Sequence, residues 1–456
     1  MVPVVVLLTL LREVLRALST PIRLLCYLPR RHHWRRMAEQ SLSEARSEDP
    51  SSRTDEAVVL KLAMRARTSG RPRNPSRKAR VFVSAGEASG EAHAARLVRG
   101  LGSNVSVIAF GGSQLRAAGA DVRFALSEHA VMGLVSVLRQ LPLIVKAYAT
   151  FLRMLRDEPP DLVVLVDYPG LHLVMAKACR RRSVPVLHYV APQYWAWGPW
   201  RMRRYRRSVD ATLTILPFET AFFRRFHVEA HYIGHPLLDQ IATEPEDPQA
   251  VARVRERATL CLLPGSRRSE IEANLPGMIA VARSLQRDHS DLRVVVAHRD
   301  PRRQELIRAV LSAHDGDFVE LQIGPLLPWL AGSRVVLAKS GTGSLEACLF
   351  GNPVVVVYKL TGMLASIGYH NILSVPYIAA ANLVANARVV PEFCFHGDRG
   401  WKRVETAVRE LFVDGSARTE CIAGLADVRR RLGSPGATER TVAIVERFLA
   451  ASEGAS

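Results

Sequence analysis

From Arg80 onward the sequence alternates between two patterns, and that alternation constrains the fold more than any other feature. Short β-branched runs (RVFVSAG, SVIAFGG, DLVVLVDYPG, PVLHYVAP and ATLTILPF, then TLCLLPGS, LRVVVAH, RVVLAKSG and PVVVVYKL) are mostly separated by stretches of helical period. A continuous apolar run is a strand buried on both faces, and strand–helix alternation builds a parallel sheet covered by helices on both sides. The series breaks where Pro236, Pro245 and Pro248 cluster. The expected architecture is α/β, with two Rossmann-like doubly wound domains facing a cleft, residues 80–235 and 236–425. A C-terminal helix within 426–456 is expected to pack back across the first domain. In open α/β sheets ligands bind beyond the carboxyl ends of strands, so the strand-end turns are where chemistry is sought.

Two turns of the second series suit a diphosphate. LCLLPGSRRSE ends a strand at Pro264-Gly265-Ser266 and is followed by Arg267, whose planar guanidinium offers charge-assisted donors to phosphate oxygens. VVLAKSGTGSLEACLFG ends a strand at Lys339, and Ser340, Gly341, Thr342, Gly343 and Ser344 then open a helix, where N–H groups favour an anion. Glu346 follows, placed to accept hydrogen bonds from a ribose diol. The turns of the first series carry the opposite chemistry. VFVSAGEASGEAHAARL offers Glu87 and Glu91, and LVVLVDYPGLH offers Asp167. Carboxylates repel phosphate, but they accept hydrogen bonds from sugar hydroxyls and can take up a proton. Read alone, Asp167 serves equally as the N-cap of a helix beginning near Leu171.

The remaining features bear on setting and partners. The formal net charge is +19, and roughly half of it lies in the first 80 residues, beside the apolar stretch MVPVVVLLTLLREVLRALSTPIRLLCYLP. That stretch has only 11 residues before its first charge, short of the ~20 needed to span a bilayer. Residues 1–36 are therefore expected to form an interfacial helix on an anionic membrane surface, with a targeting peptide or a misassigned start as the other readings. Residues 37–79, rich in Ser, Pro and Arg, read as a disordered linker. The six cysteines are scattered without a C-x-x-C pair, and single histidines such as His188, His235 and His370 lack ligand spacing, so neither a metal site nor a disulfide framework is expected. His129–Arg156 is strongly apolar and reads as a core helix, part of which could meet lipid. Tyr194, Trp195, Trp197 and Trp200, with five Arg in residues 201–207, could grip single-stranded nucleic acid, line a sugar or acyl site, seat the protein at a bilayer interface, or simply pack.

Taken in order, GEASGE, VMGLVSVL, DLVVLVDYPG, LHYVAPQYWAW, LPFE, YIGHPLLD, LLPGSRRSEI, SGTGSLEACL, PVVVVYKL and NLVA…VVPEF resemble the lipid-A-disaccharide synthase family from about residue 80 to the C-terminus. The resemblance implies the two-domain glycosyltransferase B fold. It also implies inverting, metal-independent transfer of 2,3-diacylglucosamine from UDP-2,3-diacylglucosamine to 2,3-diacylglucosamine 1-phosphate, giving a β(1→6) disaccharide in lipid A biosynthesis. No cofactor is implied. The expected setting is peripheral, at the cytoplasmic face of the inner membrane, with a homodimer possible and without a specific nucleic acid. By the same resemblance Asp167 is the candidate base and Arg267 offsets charge on the leaving diphosphate. Ser266, Ser340, Gly341, Thr342, Glu346 and Asn382 would hold the nucleotide donor, and Glu87, Ser89 and Glu91 the acceptor. The chain departs from the family pattern at Glu91 (usually Asp), at Ala379-Ala380-Ala381 before Asn382, and after PEF; residues 1–79 match nothing in it. The rival readings are another glycosyltransferase or UDP-sugar epimerase of the same architecture, and a basic RNA-binding module.

Overall fold

The computed structural model describes residues 27–47, 55–68, 77–127, 141–244, 247–360 and 371–453, together with Val6, Thr9 and Arg12. The chain divides into two compact units: residues 1–239 with 434–456, and residues 240–433.

In the first unit the strands are β1 (Ala79–Ala85), β2 (Val105–Phe110), β3 (Asp121–Phe124), β4 (Leu162–Val166), β5 (Val186–Tyr189), β6 (Ala211–Thr214) and β7 (Glu229–Tyr232). They form one sheet in the order β3-β2-β1-β4-β5-β6-β7, and every pair is parallel. β4, LVVLV, is buried along its whole length, as a central strand covered on both faces must be. The order reverses direction between β1 and β4, where Ala85 pairs with Val166.

In the second unit β8 (Thr259–Leu263), β9 (Arg293–His298), β10 (Val319–Ile323), β11 (Val335–Lys339), β12 (Val354–Leu360) and β13 (Glu392–His396) form a second all-parallel sheet, ordered β10-β9-β8-β11-β12-β13. Its reversal lies between β8 and β11, with Leu263 paired to Ala338. Each unit is thus a doubly wound sheet with one topological switch point, where such sheets bind ligands.

The helices that matter below are α1 (Arg31–Ser47), α2 (Glu56–Arg67), α3 (Ala88–Gly100), α4 (Ser113–Ala117), α5 (Leu141–Asp157), α6 (Pro169–Arg180), α7 (Pro217–Arg225), α8 (Pro236–Thr243), α9 (Arg268–Asp288), α10 (Thr342–Leu349), α11 (Ala380–Ala385), α12 (Ser416–Leu432) and α13 (Ala437–Glu453). The C-terminal helix α13 packs against α2 and α3 of the same unit. Asp239 caps it by accepting from the Gly436, Ala437 and Thr438 N–H groups and from Thr438 Oγ1. The unit boundaries fall at 239/240 and 433/434, so α8 straddles the first crossing and α12 stays with the second unit.

One expectation changes. Residues 37–79 are not a disordered linker throughout: α1 covers the first part and α2 the middle. The polar average of this region hides an apolar stripe. Val58, Leu62 and Ala63 of α2 and Ala38 and Leu42 of α1 are buried, and α1 packs on α7. Arg65 anchors α2 by an ion pair to the buried Asp210, Nε to Oδ1 at 2.8 Å. Within His129–Arg156 the described part lies in α5, which is a core helix: Phe151 is fully buried against Phe82 and Phe110. Residues 129–140 of that stretch, most of residues 1–26, residues 48–54 and 69–76, and His370 lie outside the described residues. Among the described residues no helix is long and apolar enough to cross a membrane.

Candidate active site at two switch points

The carboxylate turns of the first unit meet at its switch point. β1 runs into Gly86-Glu87 and β4 into Asp167-Tyr168, on neighbouring strands. Gly86 is required there: a Cβ would lie 2.2 Å from the Tyr168 ring. Asp167 and Tyr168 are both left-handed, with φ of 51° and 48°. A left-handed non-glycine residue costs on the order of 1–3 kcal/mol, so the turn persists only if its surroundings hold it.

Those surroundings are two buried imidazoles. His172 Nδ1 donates to the Asp167 carbonyl at 2.7 Å and His188 Nε2 donates to the same oxygen at 3.0 Å. Ser84 Oγ lies 2.9 Å from His172 Nε2, and the Asp167 N–H donates to the Tyr189 carbonyl at 3.1 Å. Burial holds both rings neutral, lowering His172 to about 3 and His188 to about 4, which leaves one N–H per ring to donate. A typical hydrogen bond contributes about 1 kcal/mol net. Three of them offset much of the strain, and Tyr168 packed on Gly86 adds to this. Asp167 is therefore not an N-cap: α6 starts at Pro169 behind Tyr168, with no side-chain capping bond. Its carboxylate is half-buried at the turn's apex, and its charge contributes to the raised values of Tyr194 and Glu219.

Glu87 is half-buried at the start of α3 without capping it, and Ser89 is exposed on the first turn. Glu91 sits differently. It is 4% exposed, with Oε1 accepting from the Gly112, Gln114 and Leu115 N–H groups and Oε2 accepting from Ser127 Oγ. Its carboxylate caps α4 and ties β2 to α3, which leaves a sugar no access to it. The aromatic stretch mostly packs: Tyr194 and Trp195 are buried, while Trp197 is 39% exposed. Trp195 Nε1 donates to Glu219 at 3.0 Å, and the Ile215 and Leu216 N–H groups hold the other carboxylate oxygen. Burial raises Glu219 to about 7.

The phosphate-type turns of the second unit also meet at a switch point. Pro264-Gly265-Ser266-Arg267 leaves β8 and Ser340-Gly341 leaves β11. Ser266, Gly341 and Thr342 are exposed, and the Arg267 side chain is 41% exposed. The Ser340 N–H donates to the Val357 carbonyl and Ser340 Oγ to that of Ile378. Gly341 N–H is taken by Ser344 Oγ. The outward N–H groups of this helix start therefore begin at Thr342.

Two expected donor contacts are more deeply placed than the sequence implied. Glu346 is 2% exposed and grips Arg299 through both oxygens, at 3.1 and 2.5 Å; burial raises it while Arg299 pulls it back down. Asn382, on α11, is fully buried. Its Nδ2 donates to the Val390 carbonyl and to Glu392, and its Oδ1 accepts from the Val389 and Val390 N–H groups. Asn382 shapes the loop rather than presenting its amide. Among the described residues no group of three or more His, Cys, Asp or Glu could hold a metal ion.

Sequence reasoning missed His172, His188, Glu219, Glu270, Arg299 and Lys339. Of these only Glu219 and Glu270 carried a readable signal, an acid three residues after a cap position, in LPFE and RRSE.

Two parallel sheets, each with a switch point bearing these turns, define the class of two-unit α/β proteins to which glycosyltransferases and UDP-sugar epimerases belong. The S. aureus MnaA–UDP structure matches 82% of this chain and 97% of its own, with a TM-score of 0.55 at 16% identity. A putative UDP-N-acetylglucosamine 2-epimerase from Listeria monocytogenes matches 82% and 98%, with a TM-score of 0.56 at 14% identity. These likenesses establish the fold. The family follows from sequence: the lipid-A-disaccharide synthetase model matches residues 81–417. The lipid-A-disaccharide synthase of Acidobacterium capsulatum is 36% identical over 376 residues, covering 78% of this chain and 93% of that one. That of Myxococcus xanthus is 36% identical over 382 residues, covering 81% and 97%. The chain belongs to the lipid-A-disaccharide synthase family.

Proposed function

We propose that this glycosyltransferase joins 2,3-diacylglucosamine, carried on UDP, to the 6-hydroxyl of 2,3-diacylglucosamine 1-phosphate with inversion and without a metal. The observation that carries the reading is the pairing of opposite chemistries at equivalent places: carboxylates at the β1/β4 switch point, cations and N–H donors at the β8/β11 switch point. UDP is assigned to the second unit and the acceptor sugar to the first. The acceptor hydroxyl attacks the anomeric carbon, its proton passes to the Asp167 carboxylate, and the anomeric C–O bond to UDP breaks with its electron pair on the departing diphosphate. Arg267, Ser266 and the Thr342 helix start stabilise that charge where it develops. Glu87 and Ser89 receive acceptor hydroxyls. Mass spectrometry of products from the two acylated substrates tests the reading: a tetraacyl disaccharide 1-phosphate plus UDP supports it. Turnover only of unacylated sugar nucleotides rejects it.

Both substrates carry acyl chains, so the protein is placed at the surface of an anionic membrane. α1 supports this. Arg31, His32, His33, Arg35 and Arg36 are exposed, while Trp34 stacks on Phe226 and Leu42 is buried. Such a basic face, anchored to the unit behind it, suits anionic headgroups. Replacing Arg31, Arg35 and Arg36 with Ser should reduce sedimentation with anionic vesicles and leave turnover of detergent-dispersed substrate intact. Equal sedimentation of both proteins rejects the surface.

A further inference from the structure

An anion already sits on the phosphate-type donors of the second unit. Glu270, three residues into the Arg267 cap of α9, folds back so that Oε2 accepts from the N–H groups of Ser266 (3.0 Å) and Arg267 (3.3 Å). Its Oε1 accepts from Arg267 Nη1 at 3.2 Å and from Lys339 Nζ at 2.8 Å. Gly265 makes room for it. This residue is left-handed, with φ +116°, and a Cβ there would lie 2.7 Å from Glu270 Oε2. One carboxylate thus bridges the ends of two adjacent strands, β8 and β11, through two peptide N–H groups, a guanidinium and an ammonium. That is the donor set a phosphate group takes at a helix start. Burial pushes the Glu270 carboxyl up, but Lys339 and Arg267 outweigh it and hold it below the ordinary carboxylate range, so the group is ionised at neutral pH.

We propose that Glu270 is an exchangeable internal counter-anion of the donor site: it occupies the Ser266, Arg267 and Lys339 donors when no nucleoside diphosphate is bound, yields them to the diphosphate, and reclaims them as the product leaves. The inference rests on the assignment of UDP to the second unit. Its physical content is competition. Two cations with no resident anion would hold product and substrate alike, and uniform tight binding slows turnover once release is limiting. A carboxylate four bonds from the backbone can compete without leaving the site. It also holds Arg267 and Lys339 on one carboxylate oxygen between turnovers. A plain helix-capping role makes a different prediction, because Gln satisfies the third helical position as Glu does. Under that role Glu270→Gln changes neither affinity nor rate.

The test is calorimetric titration of the full chain with UDP, and separately with inorganic diphosphate, alongside steady-state turnover. Glu270→Gln should bind both ligands about tenfold more tightly, the effect of removing one competing charge-assisted contact. Its kcat should fall and inhibition by added UDP should deepen. Lys339→Met should weaken UDP binding, and the double variant should lose most of the gain, because the two residues contend for one contact. UDP affinity in Glu270→Gln equal to or weaker than wild type, with the melting temperature unchanged, would overturn the inference. If wild type and both single variants fold yet none binds UDP, the assignment of the nucleotide to this unit fails first and the inference falls with it.

Discussion

The two units place their functional turns at the same point of the same topology and stabilise them by opposite means. In the first, the β1/β4 turn is held by neutral groups: two buried imidazoles on one carbonyl, a left-handed backbone, and an aromatic ring on a glycine. In the second, the β8/β11 turn is held by charges, with Arg267, Glu270 and Lys339 in one cluster and Arg299 and Glu346 in another. On the proposed assignment, the contrast follows from what each turn must present. A carboxylate that accepts a proton is best fixed by uncharged supports, which leave its charge unneutralised. A diphosphate site needs cations, and these need a counter-charge while the site is empty. Topology chooses the location and the turn residues choose the chemistry.

The largest effect that could break this comparison is at Asp167. Asp167→Asn should cost roughly 10²–10⁴ in turnover, the range for a removed general base, with UDP affinity unchanged. Near-normal turnover would take Asp167 out of the role. Arg267→Ala comes next and should impair UDP binding and rate together, through loss of a charge-assisted donor; an unaltered UDP titration would argue against it. Smaller again is His172→Ala, which frees one side of the Asp167 carbonyl and leaves Ser84 Oγ without its ring partner. Its kcat should fall by about tenfold, the equivalent of one lost hydrogen bond holding the Asp167 turn, while UDP affinity holds. A parallel loss of UDP affinity would mean that the clamp serves the whole protein rather than the turn.

The smallest effect is on pH dependence, and its sign differs from group to group. His172 and His188 lie below their ordinary value of 6.5 when folded, so their contribution to stability is present above pH 6.5 and drains away as pH falls toward 4 and 3. Glu219 is raised from 4.5 to about 7, so its contribution is present below pH 4.5 and is lost as pH rises through 7. In the second unit Glu270 is lowered, and its contribution is lost only as pH falls through a value below 4.5. Melting temperatures across pH 4–8 should therefore show Glu219→Gln flattening the decline between 4.5 and 7. A Glu219→Gln profile parallel to wild type would reject that assignment.

Much of this was legible from sequence. The apolar runs marked the strands because β4 and β8 are buried on both faces and need no polar alternation. The turns were found because strand ends carry Gly, Ser and charge. What could not be read depended on contacts distant in sequence. Glu91 looked like a site residue because its neighbours are glycine and serine; only the N–H groups 21 to 24 residues further on reveal a cap. Asn382 and Glu346 were expected to hold the nucleotide donor, but Val389, Val390 and Arg299 enclose their polar atoms. The left-handed Asp167-Tyr168 pair was invisible because neither residue is glycine, and its supports come from α6 and β5. α1 and α2 were lost in an average: Val58 and Leu62, four apart, mark a buried face inside a polar, Arg-rich region.

The central claim is that nucleotide and acid lie on different units. Amide hydrogen exchange of the full chain, with and without saturating UDP, tests it most directly. Protection should appear at residues 264–270 and 339–346 and be absent at 86–91 and 166–172. Protection at 86–91 and 166–172, with 264–270 unchanged, would contradict the account.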